Sequence, residues 1–396
     1  MTSSRKIILI IGLHKETRTL DASVFLSFLL LLGIIQAFFV NILHIPLYIL
    51  TGYIYLLLFF YLKNIFFDQF QFIILYLLIF YELLIIIIDF LLIDSSFLKE
   101  FIYHINSLVY ILVPMLVMYE TRYIIVFSKK LLYITGIYFI LSLMIHLFAW
   151  ETLAQIFYTK NSWFGGLYLS GEIKRMYGLF WNPLISAYTF LLLIFVGVLL
   201  SYKSRAFYII SGLIIMFSFV RTAYVSLGIF FILFLLFKQR ILLFLGLVVV
   251  GLWLIVLIEP LQSVVMGIIH FQDSTGSAQE HLSNYIIGLN SMGDIFGVGF
   301  QSAESAGGWN VRLESWIFQF AYVHGLIGSL PLILIAITGM IIMLKDKNII
   351  GLVSMLAFLP VLISFPVYTF NITLIIFTVM FAFALNKSKY VQLIER

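Results

Sequence analysis

From Ala22 onward the chain is a succession of uncharged apolar runs, each close to the length that crosses a bilayer. A helix needs about 20 such residues to span the hydrocarbon layer. No water is present there to satisfy a peptide group, so only helices or closed barrels can cross. The runs here are continuous and do not alternate, which excludes a barrel and predicts an all-α polytopic membrane protein. Only 10% of the residues are charged and mean hydropathy is +1.14, whereas a soluble chain carries about a quarter charged residues.

Twelve spans are expected, over 22–41, 45–62, 70–93, 105–121, 131–150, 184–201, 206–220, 222–237, 241–258, 315–343, 348–364 and 367–385. Positive charges flank the cytoplasmic ends of spans. With twelve crossings, seventeen of the 23 lysines and arginines fall on the side of both termini. That side is read as cytoplasmic, and the net charge of +5 is therefore a topology signal rather than a nucleic-acid one. The stretch 206–237 decides the count. Read as one helix it reverses every later loop, so two short spans meeting near Arg221 are predicted.

The whole chain, 1–396, reads as a single membrane domain. Residues 1–21 are a cytoplasmic leader, because their apolar run is short and ends in His14, Lys15, Glu16 and Arg18 where a cleavage site needs small residues. Two long segments face the other side, 151–183 and 259–314, and they are expected to cap an active site. Within the second, Leu282, Tyr285, Ile286 and Leu289 have helical spacing, and glycines 293, 297 and 299 turn the chain.

Three arginines sit on this outer side beside span starts. Arg175 precedes Asn182–Pro183, a helix N-cap followed by the favoured first helical residue. Arg221 stands alone in a long uncharged run, and Arg312 lies just before the span beginning near Glu314. An arginine in hydrocarbon costs several kcal/mol. Guanidiniums beside helix N-termini, with their partial positive charge and free N–H donors, form an anion pocket. A phosphate or pyrophosphate is the expected ligand. Each arginine taken alone also fits a topology anchor or a partner to a nearby carboxylate.

Glu314 and His281 are the acid–base candidates, either able to take a proton from an attacking sugar hydroxyl. Glu314 also fits a salt bridge to Arg312. Glu82, deep in the span 70–93, keeps a transporter reading open. The absence of cysteine excludes disulfides, thiol nucleophiles and thiolate metal sites. No zinc motif or Walker loop occurs, so neither a metal nor another cofactor is expected.

The segments "RMYGLFWNP", "SFVRTAYVSLG", "GSAQEHLSNYIIGLNSMGDIFGVGF" and "ESWIFQFAYVHGLIG" follow one another in that order. Over about 175–328 the chain resembles the Wzy-type O-antigen, capsule and exopolysaccharide polymerases, relatives of the WaaL-type O-antigen ligases. That resemblance implies a GT-C-type glycosyltransferase architecture with a large extracytoplasmic loop, located in the bacterial inner membrane. It implies a metal-independent, inverting enzyme that joins undecaprenyl-pyrophosphate-linked oligosaccharides, the growing chain acting as donor and the incoming repeat unit as acceptor. A chain-length regulator protein is a further partner the resemblance suggests. Arg175 and Arg221 match family arginines expected to hold the pyrophosphate, while Arg312 has no family counterpart. The ligases carry His-Asn eleven positions before Gly-Leu-x-Gly, here Gly325–Gly328, and an arginine near His281. This chain has Glu314–Ser315 and His281 instead, which favours polymerase over ligase and leaves the base open. The rival readings are a ligase acting on another acceptor and a flippase of lipid-linked sugars.

Overall fold

The computed structural model describes residues 18–41, 123–126, 128–152, 168–169 and 173–237. It also describes 339–364 and isolated positions at 87, between 286 and 337, and between 373 and 392. These residues are mostly helical. The spans expected over 45–62, 105–121 and 241–258, and nearly all of 70–93, lie outside the described residues.

Strand β1, Arg18–Asp21, runs directly into helix α1, Ala22–Asn41. The turn between them is set by Asp21, whose Oδ1 accepts from the backbone N–H of Ser23 (3.0 Å) and Val24 (3.2 Å). It thereby supplies acceptors that the first turn of a helix lacks. Strand β2, Tyr123–Val126, leads in the same way to helix α2, Lys130–Met144. α2 continues through a π-helical turn, Ile145–Ala149, so that the helix reaches Thr152. Among the described residues, this helix of 23 residues is the one long and apolar enough to cross a membrane. The other apolar stretches, from Ala22–Ile35 to Ile349–Ile363, measure between 10 and 17 residues.

Helix α3, Pro183–Leu199, is buried along nearly its whole circumference. A helix apolar all round belongs at the centre of a bundle, and α3 has α2, helix α4 (Arg205–Ser218), helix α5 (Arg221–Phe237) and helix α6 (Ile349–Ser364) around it. Tyr138 of α2 lies 4.6 Å from the Phe190 ring, and Phe195 of α3 stacks on Phe230 of α5 at 4.5 Å. α5 packs most extensively on α6.

The described residues are mostly helical, as an all-α chain requires, and include in addition five strands of two to four residues. β1, β2 and β5 (Val391–Gln392) form a parallel ladder in the order β1-β2-β5, with Arg18 opposite Tyr123 and Ile125 opposite Val391. β3 (Tyr168–Leu169) and β4 (Ile173–Lys174) form an antiparallel hairpin. Such segments lie outside the helices, where backbone groups have no intrahelical partner and pair between strands instead. The last residues of the expected leader are thus part of the fold. Ser23 Oγ and Ser128 tie the starts of α1 and α2, the hydroxyl donating to the Ser128 carbonyl (2.9 Å) and accepting from its N–H (2.8 Å).

The start of α3 follows the local code. Asn182 is extended, at φ −151° and ψ 121°, and its Oδ1 accepts from Leu184 N–H (2.8 Å) and Ile185 N–H (3.3 Å), with Pro183 as the first helical residue. Asn182→Ala removes that acceptor and is expected to cost about 1 kcal/mol. The melting temperature in detergent should fall by roughly 1–2 °C, while Asn182→Asp, an equally good cap, should melt like the wild type.

Candidate functional site

Four local structures meet at the far end of α2: its π turn, the β3–β4 hairpin, the turn before α3 and the break between α4 and α5. The π turn takes up an extra residue per turn, a feature frequent at functional sites, and Trp150 follows it directly. The Trp150 indole Nε1 donates to the Arg175 carbonyl at 2.8 Å. One residue later, Met176 N–H donates to the carbonyl of Phe217 at 3.0 Å, fastening the Arg175 segment to the last turn of α4.

α4 ends because Phe219 adopts the left-handed conformation, φ 49° and ψ 41°, its N–H donating to the Met216 carbonyl. Val220 follows and α5 begins at Arg221. The break near Arg221 expected from charge placement is therefore a two-residue turn. Its physical cause is a C-terminal left-handed cap, here carried by a phenylalanine in place of the usual glycine.

Arg175 and Arg221 converge. Both are partly buried, and the Arg221 charge acts on the surroundings of the Arg175 guanidinium. Burial lowers the Arg175 pKa most, the positive charge of Arg221 lowers it further, and Tyr188 of α3 and Tyr224 of α5 act in the opposite sense. An arginine stays protonated under such shifts, since its unperturbed pKa exceeds 12. Two cations are therefore held together at some electrostatic cost. The Arg175 Nε is buried and has no hydrogen-bond partner among the described residues. Tyr224, one turn into α5, is anchored by its hydroxyl donating to the Met216 carbonyl.

The turn between Arg175 and α3 is tightly specified. Gly178 has φ +64°, beside the Tyr138 hydroxyl and Ser186 Oγ. The Tyr138 and Ser186 oxygens are 2.8 Å apart, and Ser186 Oγ donates to the Tyr177 carbonyl at 2.8 Å. A 3₁₀ turn, Gly178–Phe180, then ends at Trp181, which has φ 56° and ψ 20°. A bulky aromatic in the left-handed region is an outlier, at a cost of about 1–2 kcal/mol. Trp181 N–H donates to the Gly178 carbonyl and Asn182 N–H to the Tyr177 carbonyl, both at 3.2 Å.

Three of these aromatic side chains stack in a row. Trp150 and Tyr177 are 6.2 Å apart between centroids, Tyr177 and Trp181 6.0 Å apart with planes at 29°. Burial pushes the Tyr177 hydroxyl pKa up. Beside the row, Lys174 sits 5.2 Å from the Trp150 ring centroid and pairs with Glu151 at 2.6 Å. That hydrogen bond and charge hold the exposed Glu151 carboxyl below its usual range.

One expectation is corrected. The N-terminus of α3 does not offer its first N–H donors to a ligand, because the Asn182 side chain has taken those of Leu184 and Ile185. An anion here must be held by side chains. Arg312, Glu314 and His281 lie outside the described residues, as does most of the segment 259–314. Trp150, Gly178 and Trp181 were not read as site residues from sequence. Gly178 and Trp181 stand inside "RMYGLFWNP", and the pairing of Trp150 with Arg175 is a tertiary contact.

No known protein-family model matches the chain, and no curated protein matches it.

Proposed function

We propose that the chain is a multi-pass glycosyltransferase of the inner membrane, with about twelve spans, GT-C-type architecture and both termini cytoplasmic. It polymerises undecaprenyl-pyrophosphate-linked repeat units on the outer face. The single observation that carries the reaction is the convergence of Arg175 and Arg221. Two guanidiniums offer about five N–H donors each to a ligand with more than one negative charge, and a leaving pyrophosphate is such a ligand.

The membrane setting draws support from α2, whose amphipathy is inverted. Its buried face is Leu131, Thr135, Tyr138 and Ser142, while Ile137, Ile140, Met144, Leu147 and Phe148 are exposed, Phe148 by 81%. Apolar groups outward and hydroxyls inward suit lipid as solvent, where small polar side chains join helices. The sidedness is supported by which loops touch. The ladder unites segments preceding span one, following span four and following span twelve. Tyr202, between spans six and seven, donates to the Ser128 carbonyl, and Asn348, at the start of span eleven, to that of Ala384, at the end of span twelve. All lie on the side of the termini in a twelve-span chain. Trp150, Arg175, Phe217 and Arg221 all fall on the opposite side. Helix α2 with its extension, about 33 Å long by its rise, separates the two groups.

In the proposed reaction a sugar hydroxyl of the incoming unit attacks the anomeric carbon of the lipid-linked chain. The bond from that carbon to the phosphate oxygen breaks, and the hydroxyl proton passes to Glu314 or His281 as base. Arg175 and Arg221, joined by Arg312, neutralise the charge that develops on the departing pyrophosphate. No metal is needed, because fixed cations supply that stabilisation.

Purified protein given only lipid-linked repeat units should elongate them. Failure to form any new glycosidic bond overturns the proposal in favour of transport. Elongation that requires a different acceptor overturns it in favour of ligation. Inorganic pyrophosphate at about 100 times its dissociation constant should stabilise the wild-type protein by about 2.7 kcal/mol, read as a rise in melting temperature. The rise should vanish in Arg175→Ala.

A further inference from the structure

The aromatic row has no part in holding the pyrophosphate, yet it is anchored to the same residue. Trp150 supports the Arg175 carbonyl through its indole nitrogen. Trp150 and Tyr177 are almost completely buried, and Trp181 is the partly open member at the end of the row. A residue held left-handed against steric preference points toward a functional demand when the surroundings enforce it. Here they do: the turn closes with Trp181 N–H on the Gly178 carbonyl, and the Tyr177 ring stacks against the indole. Gly178 already provides a left-handed position three residues earlier without strain. Chain reversal alone does not call for an aromatic at 181.

We infer that Trp181, backed by Tyr177 and Trp150, is the floor of a saccharide subsite for the sugar ring attached to the pyrophosphate. This rests on the polymerase reading for the identity of the phosphate, though not for the presence of the shelf. A pyranose is amphipathic: one face presents C–H groups of partial positive charge, and its rim presents hydroxyls. The face matches the negative face of an aromatic ring. Covalent geometry adds a constraint. The first sugar is joined to the phosphate through a single oxygen, so its ring must lie beside the arginines that grip that phosphate. The shelf is what adjoins Arg175 along the chain. A tryptophan serving only as a headgroup-level anchor requires neither the strained backbone nor the buried stack.

The test uses the full-length protein in detergent or vesicles, with lipid-linked repeat unit extracted from cells lacking this protein. Trp181→Leu should raise KM for that substrate about tenfold, with kcat falling less, the pattern of lost ground-state binding. Trp181→Phe, which keeps an aromatic face, should recover most of the loss. The pyrophosphate-induced rise in melting temperature should persist in both variants. In parallel, oligosaccharide released from the lipid by mild acid should change the tryptophan emission of the wild type. That change should be lost in Trp181→Phe. An unaltered KM in Trp181→Leu, or wild-type emission indifferent to millimolar oligosaccharide, overturns the subsite. A wild type that fails to elongate but whose emission still responds defeats the polymerase reading and leaves the shelf standing. If Trp181→Leu does not fold, the emission titration and the Phe variant decide.

Discussion

Cells carrying Arg221→Ala accumulate single repeat units on lipid and lose long polymer, while the protein stays folded and inserted; that is the expected result. Removing one positioned donor from a site that stabilises developing charge lowers the rate by about 10²–10³, enough to erase polymer seen on a gel. Stability should respond in the opposite sense or hardly at all. The Arg221 charge opposes that of Arg175, so deleting one cation relieves repulsion in the folded state. Loss of activity with unchanged melting temperature is the signature of a functional rather than structural residue. Arg175→Ala should match it in activity. The double variant should be little worse than either single one, because residues gripping one ligand act as a unit. Lysine at either position should rescue only in part, lacking the planar fork that spans two phosphate oxygens. The readouts are the chain-length distribution of extracted glycan and membrane protein levels by blot. Polymer of normal length from Arg221→Ala would sink the pocket.

Gly178→Ala should be the most damaging small substitution in the described residues. Its φ of +64° is unfavourable for any residue with a Cβ. The added carbon would sit 2.7 Å from Ser186 Oγ and against the Tyr138 hydroxyl. Tyr138 cannot retreat easily, since its ring packs on Phe180 at 5.3 Å and Phe190 at 4.6 Å. Overpacking of this kind costs about 1–3 kcal/mol, added to the backbone term of about 1 kcal/mol. The expected outcome is a large fall in melting temperature and in activity, because the same turn sets Arg175, Tyr177 and Trp181. A control separates steric from conformational causes. Tyr138→Phe deletes the hydroxyl that the new methyl would strike, so Gly178→Ala should cost less in that background. The difference should exceed 0.5 kcal/mol, the scale of coupling between residues in contact. Equal cost in both backgrounds would show that the Tyr138 hydroxyl is not the obstacle, leaving the backbone conformation and the Ser186 hydroxyl as causes.

The candidate site was partly legible, and the legible part was local. Asn182 and Pro183 announce a helix start because a cap and its first turn involve residues two or three apart. The interruption at Arg221 was readable from charge, since a buried guanidinium and a lopsided loop distribution both oppose one continuous helix. The stack of Trp150, Tyr177 and Trp181 was not. It brings Trp150 to Tyr177, 27 positions away, and nothing in the order of residues states which aromatic faces which. The left-handed Trp181 and Phe219 were also hidden, because both residue types ordinarily avoid that conformation. The ladder was hidden for a related reason. Strands of two to four residues flanking hydrophobic runs resemble loops, and their partners lie more than a hundred residues away.

Composition and the placement of apolar runs sufficed to make this chain mostly helical and to mark where several helices begin and end. Those properties follow from solvation and from hydrogen bonds closed within a few residues. Which arginines meet, which helix lies at the centre and which rings stack were decided by tertiary structure alone. They depend on close packing among segments distant in the chain, and such packing becomes defined only when the whole bundle forms.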